Sequence, residues 1–270
     1  MSTHDQTFSE TSLDESSFEE TTFDRATSED VAFSDRVAAA ARLLAVEPSV
    51  QETLDGIVEL AVSMVPGCAA AGISLITRRE ITTAAATDQA VRLGDEMQYE
   101  LDEGPCLDAV RSEEVVRTDD VVADARWPRW GPAVAERLGV RSMLCLQLYT
   151  TETKHGALNL YATEPGAFSA ADQALAGTFA AVAAAALQAA QTEEQLASAV
   201  ASRTLIGQAQ GVIMERYGLS APNAFSVLSR ISQDSNTKLA DVAQQIVATR
   251  RIPGIDTSSS APGGSAPEKS

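Results

Sequence analysis

The stretch SRTLIGQAQGVIMERYGLSAPNAFSVLSRISQDSNTKLADVAQQIVAT occupies residues 202–249 and decides how the rest of the chain is read. Leu205, Ile206, Ala209, Val212 and Ile213 fall on one face at helical spacing. Gly218, after Tyr217, predicts a left-handed stop. Ser220 stands where an N-cap belongs, and Pro222 lies in the following first turn, where its missing N–H costs nothing. Phe225, Leu228 and Ile231 make a second apolar stripe, and Asn236-Thr237 breaks it. Leu239, Val242, Ala243, Ile246 and Val247 make a third. Three short amphipathic helices cannot each bury a face alone, so the spacing predicts a small all-α three-helix bundle.

This bundle also differs from its surroundings in charge. The chain has 270 residues and a formal net charge of −18, which argues against a general nucleic-acid or anionic-membrane binder. Residues 1–34 carry nine carboxylates and one arginine. Residues 196–251 instead carry Arg203, Arg216, Arg230, Lys238, Arg250 and Arg251 against Glu215, Asp234 and Asp241, a local excess of +3. The N-terminus has no basic region followed by an apolar one, and the apolar run at 179–187 is too short to span a membrane. Cys68, Cys106 and Cys145 are odd in number and widely spaced, so disulfides are not expected and a cytoplasmic setting is.

Working back from the bundle, residues 178–206 contain no Gly or Pro. One nearly continuous helix is expected, starting at a Ser169 cap with Asp172 at N3. A stiff helix of this kind is both a connector and a dimerisation surface, although Leu187, Leu196 and Val200 hold no strict heptad seam. Before it, residues 35–65 read as two helices separated by Pro48. Strands are expected at 68–77, 80–87, 115–118, 140–150 and 157–163, with turns at Arg78-Arg79 and around Lys154-His155-Gly156. Short helices are expected at 88–100 and 132–138. Residues 35–190 therefore form an α+β module with a central antiparallel sheet of five or six strands, and residues 191–252 form the bundle. Residues 1–34, with a loose repeat (TFSET, SFEET, TFDRAT), and residues 253–270, rich in Pro, Gly and Ser, are expected to be disordered tails. The acidic repeat is also a candidate competitor for the basic bundle.

No catalytic motif stands out. There is no phosphate-binding loop, dinucleotide fingerprint or HExxH, and no metal-ligand spacing. His155 is read as a surface turn residue, and the pairs Asp102-Glu103 and Asp119-Asp120 as solvated loop charge. Cys106 follows Gly104-Pro105 and opens a helix, so it reads either as a thiol activated by the helix N-terminus or as a small buried residue. Trp127 and Trp130 either wall a small-molecule pocket with Cys106 or pack a loop onto the sheet.

Two resemblances rest on longer strings. DEGPCLDAVRSEEVVRTDDVVADARWPRW, GVRSMLCLQLY and GALNLYATEPGAFS together resemble the GAF domains of actinobacterial regulators. The C-terminal stretch resembles the ANTAR domain, matching at Ile206, Ala209, Gly211, Met214, Ala224, Phe225, Leu228, Ser232, Asn236, Leu239, Val242 and Ala243. The pair looks like a GAF–ANTAR antitermination regulator. That resemblance implies no enzyme activity. It implies a GAF module that senses a signal or dimerises, and an ANTAR bundle that binds paired hairpins in nascent RNA as a homodimer. The RNA-contacting candidates are Arg203, Gln208, Gln210, Gly211, Arg216, Arg230, Asn236 and Lys238. Gln210 stands where many ANTAR domains carry Lys, so charge contributes less here. No cofactor is expected, and an unidentified small-molecule ligand of the GAF module stays open. The alternatives are a DNA-binding helix-turn-helix regulator and a signalling scaffold without nucleic acid.

Overall fold

The structure is a computed structural model that describes residues 28–77, 80–111, 114–150 and 154–253. The acidic repeat within residues 1–27, the Arg78-Arg79 turn and residues 254–270 lie outside the described residues. Helix α1 (Ser28–Leu44) begins seven residues earlier than expected, inside the stretch read as a tail. An acidic sequence is compatible with a helix N-terminus, whose unpaired N–H groups favour negative charge. Helix α2 (Val50–Met64) follows Pro48, and its cap Ser49 accepts a hydrogen bond from the Glu52 backbone N–H.

Strands β1 (Ala70–Thr77) and β2 (Glu80–Ala86) lead into helices α3 (Gln89–Leu101) and α4 (Pro105–Arg111). Strand β3 (Val115–Thr118), helix α5 (Trp130–Leu138), and strands β4 (Ser142–Tyr149) and β5 (Lys154–Ala162) complete the module. The five strands form one sheet in the order β2-β1-β5-β4-β3, antiparallel throughout. Alternation along each strand separates two cores. Ile73, Leu144, Leu146, Leu158 and Leu160 pack with α1, α2 and the helix after β5. Met143, Cys145, Ala157 and Tyr161 pack on the opposite face, under α3, α4 and α5. Strand β4 is buried on both faces, so it reads as a continuous apolar run.

His155 is not in a turn. It lies inside β5, 6% exposed, and desolvation lowers its pKa. The adjacent Gly156 suggests a turn but lies within the strand. A Cβ there would sit 1.8 Å from the Ser74 carbonyl oxygen, so this glycine serves a close approach between strands.

Helix α6 (Ala170–Tyr217) is 48 residues long, about 72 Å at 1.5 Å per residue. It opens on the expected capping box of Ser169 and Asp172 and closes at Gly218, φ 62°. By length and composition α6 could cross a membrane, but its apolar half supplies Leu175, Phe179, Ala183 and Leu187 to the first core. Helices α7 (Ala221–Ser235) and α8 (Leu239–Thr249) then pack on its last turns. Ala209, Ile213, Ala224, Leu228, Val242, Ala243 and Ile246 are fully buried there, and Ile252 closes the bundle beyond α8. Phe225, expected in the core, is 43% exposed; the smaller Ala224 takes the inward position. Tyr217, the last residue of α6, is 37% exposed.

Candidate functional site

The C-terminal ends of α6 and α8 are tied together where Arg216 donates to the Arg250 carbonyl oxygen at 2.6 Å. Between the two helices runs a groove of about 540 Å³, lined by Gln208, Gly211, Val212, Glu215, Val247 and Arg250. A Cβ built on Gly207 or Gly211 would meet no atom within 4 Å. The fold therefore does not need either glycine for packing. Each nevertheless costs about 1 kcal/mol relative to alanine in a helix interior. Ala209, between them, is small for the opposite reason, since it is fully buried against the bundle core.

The sequence-derived polar candidates divide among three places. Gln208 and Gly211 line the α6–α8 groove, with Arg216 at its lower end. Gln210 faces α7 and donates to the Ala221 carbonyl oxygen at 3.3 Å. Asn236 and Lys238 form the α7–α8 corner, Asn236 in the left-handed region at φ 49° and Lys238 as the N-cap of α8. Ser232 braces that corner by donating to the Thr237 carbonyl oxygen at 2.6 Å. Arg203 and Arg230 are exposed. As groove residues, Val212, Glu215, Val247 and Arg250 escaped sequence reasoning, because a groove between helices has no sequence periodicity of its own.

In the first module, Cys106, Trp127 and Trp130 are buried core residues. Trp127 donates through Nε1 to Asp108 at 2.8 Å, and Trp130 to the Gly94 carbonyl at 3.1 Å. Their rings meet edge to face at 6.1 Å. Burial pushes the Cys106 thiol up to about 12, reinforced by the nearby Asp95 charge, so desolvation outweighs any helix-terminus activation.

Beside Cys106 lies a buried polar cluster that the sequence did not reveal. Asp95, on α3, accepts from Thr83 Oγ1 at 2.9 Å, from Tyr161 OH, from Asn159 Nδ2 at 3.3 Å and from Gln98 Nε2 at 3.4 Å. Tyr99, one helical turn on, meets Ser74 Oγ at 2.8 Å. The only sequence trace is Asp95 and Tyr99 at i, i+4 on one helix face. Desolvation raises the Asp95 carboxyl to about 6, and its hydrogen-bond donors oppose this only in part. Because the folded-state value lies above the unfolded one, the folded chain takes up this proton first as pH falls. The contribution to stability is therefore largest at low pH and is lost as pH rises from about 4 through about 6. The melting temperature of the native chain minus that of Asp95→Asn should decrease over this range and then level. A difference that stays flat from pH 4 to 7 would show that Asp95 does not titrate there.

A family model for the GAF domain matches residues 47–188, more than half of the chain, and one for the ANTAR domain matches residues 194–247. No curated protein matches. Among solved structures, the GAF domain of a phosphoenolpyruvate-protein phosphotransferase from Coxiella burnetii is 15% identical, with a TM-score of 0.50. The match covers 61% of this chain and 98% of that one. The phytochrome photosensory core module of Stigmatella aurantiaca is 11% identical, with a TM-score of 0.54, over 77% of this chain and 46% of that one. At these identities the likeness shows the fold alone. With the five-stranded sheet, the long helix and the terminal bundle each in place, the chain belongs to the GAF domain family, and an ANTAR domain, the mark of antitermination regulators, follows in the same chain.

Proposed function

We propose that the ANTAR bundle of this chain binds paired hairpins in nascent RNA and keeps transcription going past a terminator. In this reading two copies act together through α6, in the cytoplasm, and the GAF module conveys a small-molecule signal along that helix. The reading assigns the chain no reaction. The observation that carries it is the open backbone at Gly207 and Gly211 beside the groove lined by Gln208 and Arg250. Side-chain-free helix surface lets a nucleotide strand approach the main chain closely. Sequence-specific RNA recognition targets splayed loop bases with a few polar groups, which suits a bundle with only a small positive excess.

A two-hairpin leader RNA should shift with the full chain at moderate salt. The triple substitution Arg203→Ala, Gln210→Ala, Lys238→Ala should weaken that complex and leave the melting temperature within a few degrees. Two of the three lost side chains are charged, so the slope of log affinity against log salt should become shallower by about 1.4. Unchanged affinity and slope would remove these residues from the interface, and absence of any shift by the native chain would remove the function.

A further inference from the structure

Asp95 is completely buried, yet everything that touches its carboxylate is a neutral donor: Thr83, Tyr161, Asn159, Gln98 and Ser74. Arg92, on the same helix, spends its guanidinium on the Thr83 carbonyl oxygen at 3.0 Å instead. A buried carboxylate without a cation is costly to keep charged. One atom beside it is unsatisfied. Asn159 is 0% exposed and its Nδ2 donates to Ser74 and Asp95, but its Oδ1 has no partner. Turning the amide over would set its oxygen against the Asp95 carboxylate, so the orientation is fixed by charge. One negative centre with five neutral donors but no cation thus sits beside one orphaned acceptor.

The cover over this cluster has the features of a lid. Helix α4 is seven residues long and joins α3 through two residues of positive φ, Asp102 at 55° and Gly104 at 140°. Its start is latched by one side chain of the cluster: Gln98 Oε1 accepts from the Cys106 backbone N–H at 2.8 Å, while Gln98 Nε2 faces Asp95. A group that competes for Asp95 therefore disturbs the latch directly. A crevice of about 110 Å³ beside α3 is lined by Val91, Leu138, Val140 and Tyr161, the last of which bonds Asp95 through its hydroxyl.

The geometry points to a binding site under α4 for a small molecule carrying a compact, multi-donor cation, an amidinium or guanidinium, that pairs with the Asp95 carboxylate and the Asn159 carbonyl oxygen. This builds on the reading of the GAF module as the sensor and names the ligand chemistry it takes. An anionic head group is excluded by the same carboxylate. Occupancy releases Gln98 and, with it, the start of α4.

Benzamidine is the probe, with benzamide as its neutral counterpart and benzoate as its anionic one, all on the full chain. Trp127 and Trp130 are the only tryptophans and both lie over this face, Trp130 on the Gly94 carbonyl next to Asp95, so their emission reports occupancy. At pH 8 benzamidine should change the emission saturably and raise the melting temperature, and benzamide and benzoate should do neither. Asp95→Asn, with native circular dichroism, should abolish the effect. The native chain supplies a second measure: between pH 8 and pH 5 benzamidine affinity should fall about tenfold as Asp95 takes up its proton. The other titratable groups around it, Tyr99, Tyr161, Cys106 and Cys145, are all raised and stay neutral across that range. His155 lies farther along β5, and the Arg92 guanidinium is held on the Thr83 carbonyl oxygen. No saturable change with benzamidine, an equal response to benzamide, or an affinity that does not fall at pH 5 would overturn the site. If benzamidine binds as described but leaves hairpin-RNA affinity unchanged, the site stands and its coupling to the bundle falls.

Discussion

Replacing Gly207 and Gly211 together by leucine should make the chain more stable and cost it most of its RNA affinity. Both positions lie on the open surface of α6, with no atom within 4 Å of where a side chain would begin. Leucine has nearly the helix propensity of alanine, so each substitution should add up to about 1 kcal/mol to the bundle. At an RNA interface the same side chains would hold the strand off the helix by several ångströms. Several hydrogen bonds, each contributing about 1 kcal/mol, would be lost at once, which corresponds to a fall of about a hundredfold or more in affinity. Thermal melts and mobility shifts on the same preparations read both effects. A stabilised variant that binds hairpins as well as the native chain would show that the glycines face no RNA. Opposite signs in the two assays separate this prediction from a simple folding defect.

The second large effect concerns the middle of α6. Residues 193–201 are exposed along their whole length, and among them are Leu196 and Val200, each 63% exposed. An isolated helical stretch this short is marginal in water, so a partner surface would stabilise it. On the same side, Ala186 and Ala189 line a groove of about 410 Å³ shared with Ala41 and Leu44 of α1 and with Ala45 just after it, near the exposed Leu43 and Val46. Ala186, Ala189, Glu193, Leu196 and Val200 follow one another at alternating spacings of three and four, as in the seam of a paired coil. Leu196→Glu with Val200→Glu should convert a dimer to a monomer in sedimentation. Affinity for a two-hairpin RNA should drop by about a hundredfold through lost avidity, while affinity for a single hairpin stays unchanged. A native chain that sediments as a monomer would contradict the pairing.

The seam also shows where sequence reading stops. Counting from Leu187 gave no consistent heptad, because Leu187 faces the GAF core and belongs to a different side of α6. A helix that serves one partner in its first half and another in its second mixes two periodicities in one string. Other elements were plain. The Ser169–Asp172 box, the Gly218 stop and the short strand at Val115–Thr118 are set by local chemistry, so local sequence reveals them. In the bundle the stripe was legible but its edge was not: Ala224 and Phe225 are adjacent, and only packing decides that the smaller one turns inward. The Asp95 cluster gathers residues from β1, β2, α3 and β5, from Ser74 to Tyr161, and nothing in a linear reading brings them together. Polar residues on strands, such as Ser74 and Asn159, are ordinarily read as solvent-facing, and here both are fully buried because α3 and α4 cover that face of the sheet.

We propose that this acidic chain recognises RNA hairpins through one small bundle. Ultraviolet crosslinking in cells, followed by sequencing of the RNA bound to the full chain, tests it most directly. Reads should concentrate on tandem hairpins that overlap terminators and be lost when Gly207 and Gly211 are replaced by leucine. Reads spread without regard to hairpins, or a distribution unchanged by those replacements, would contradict it.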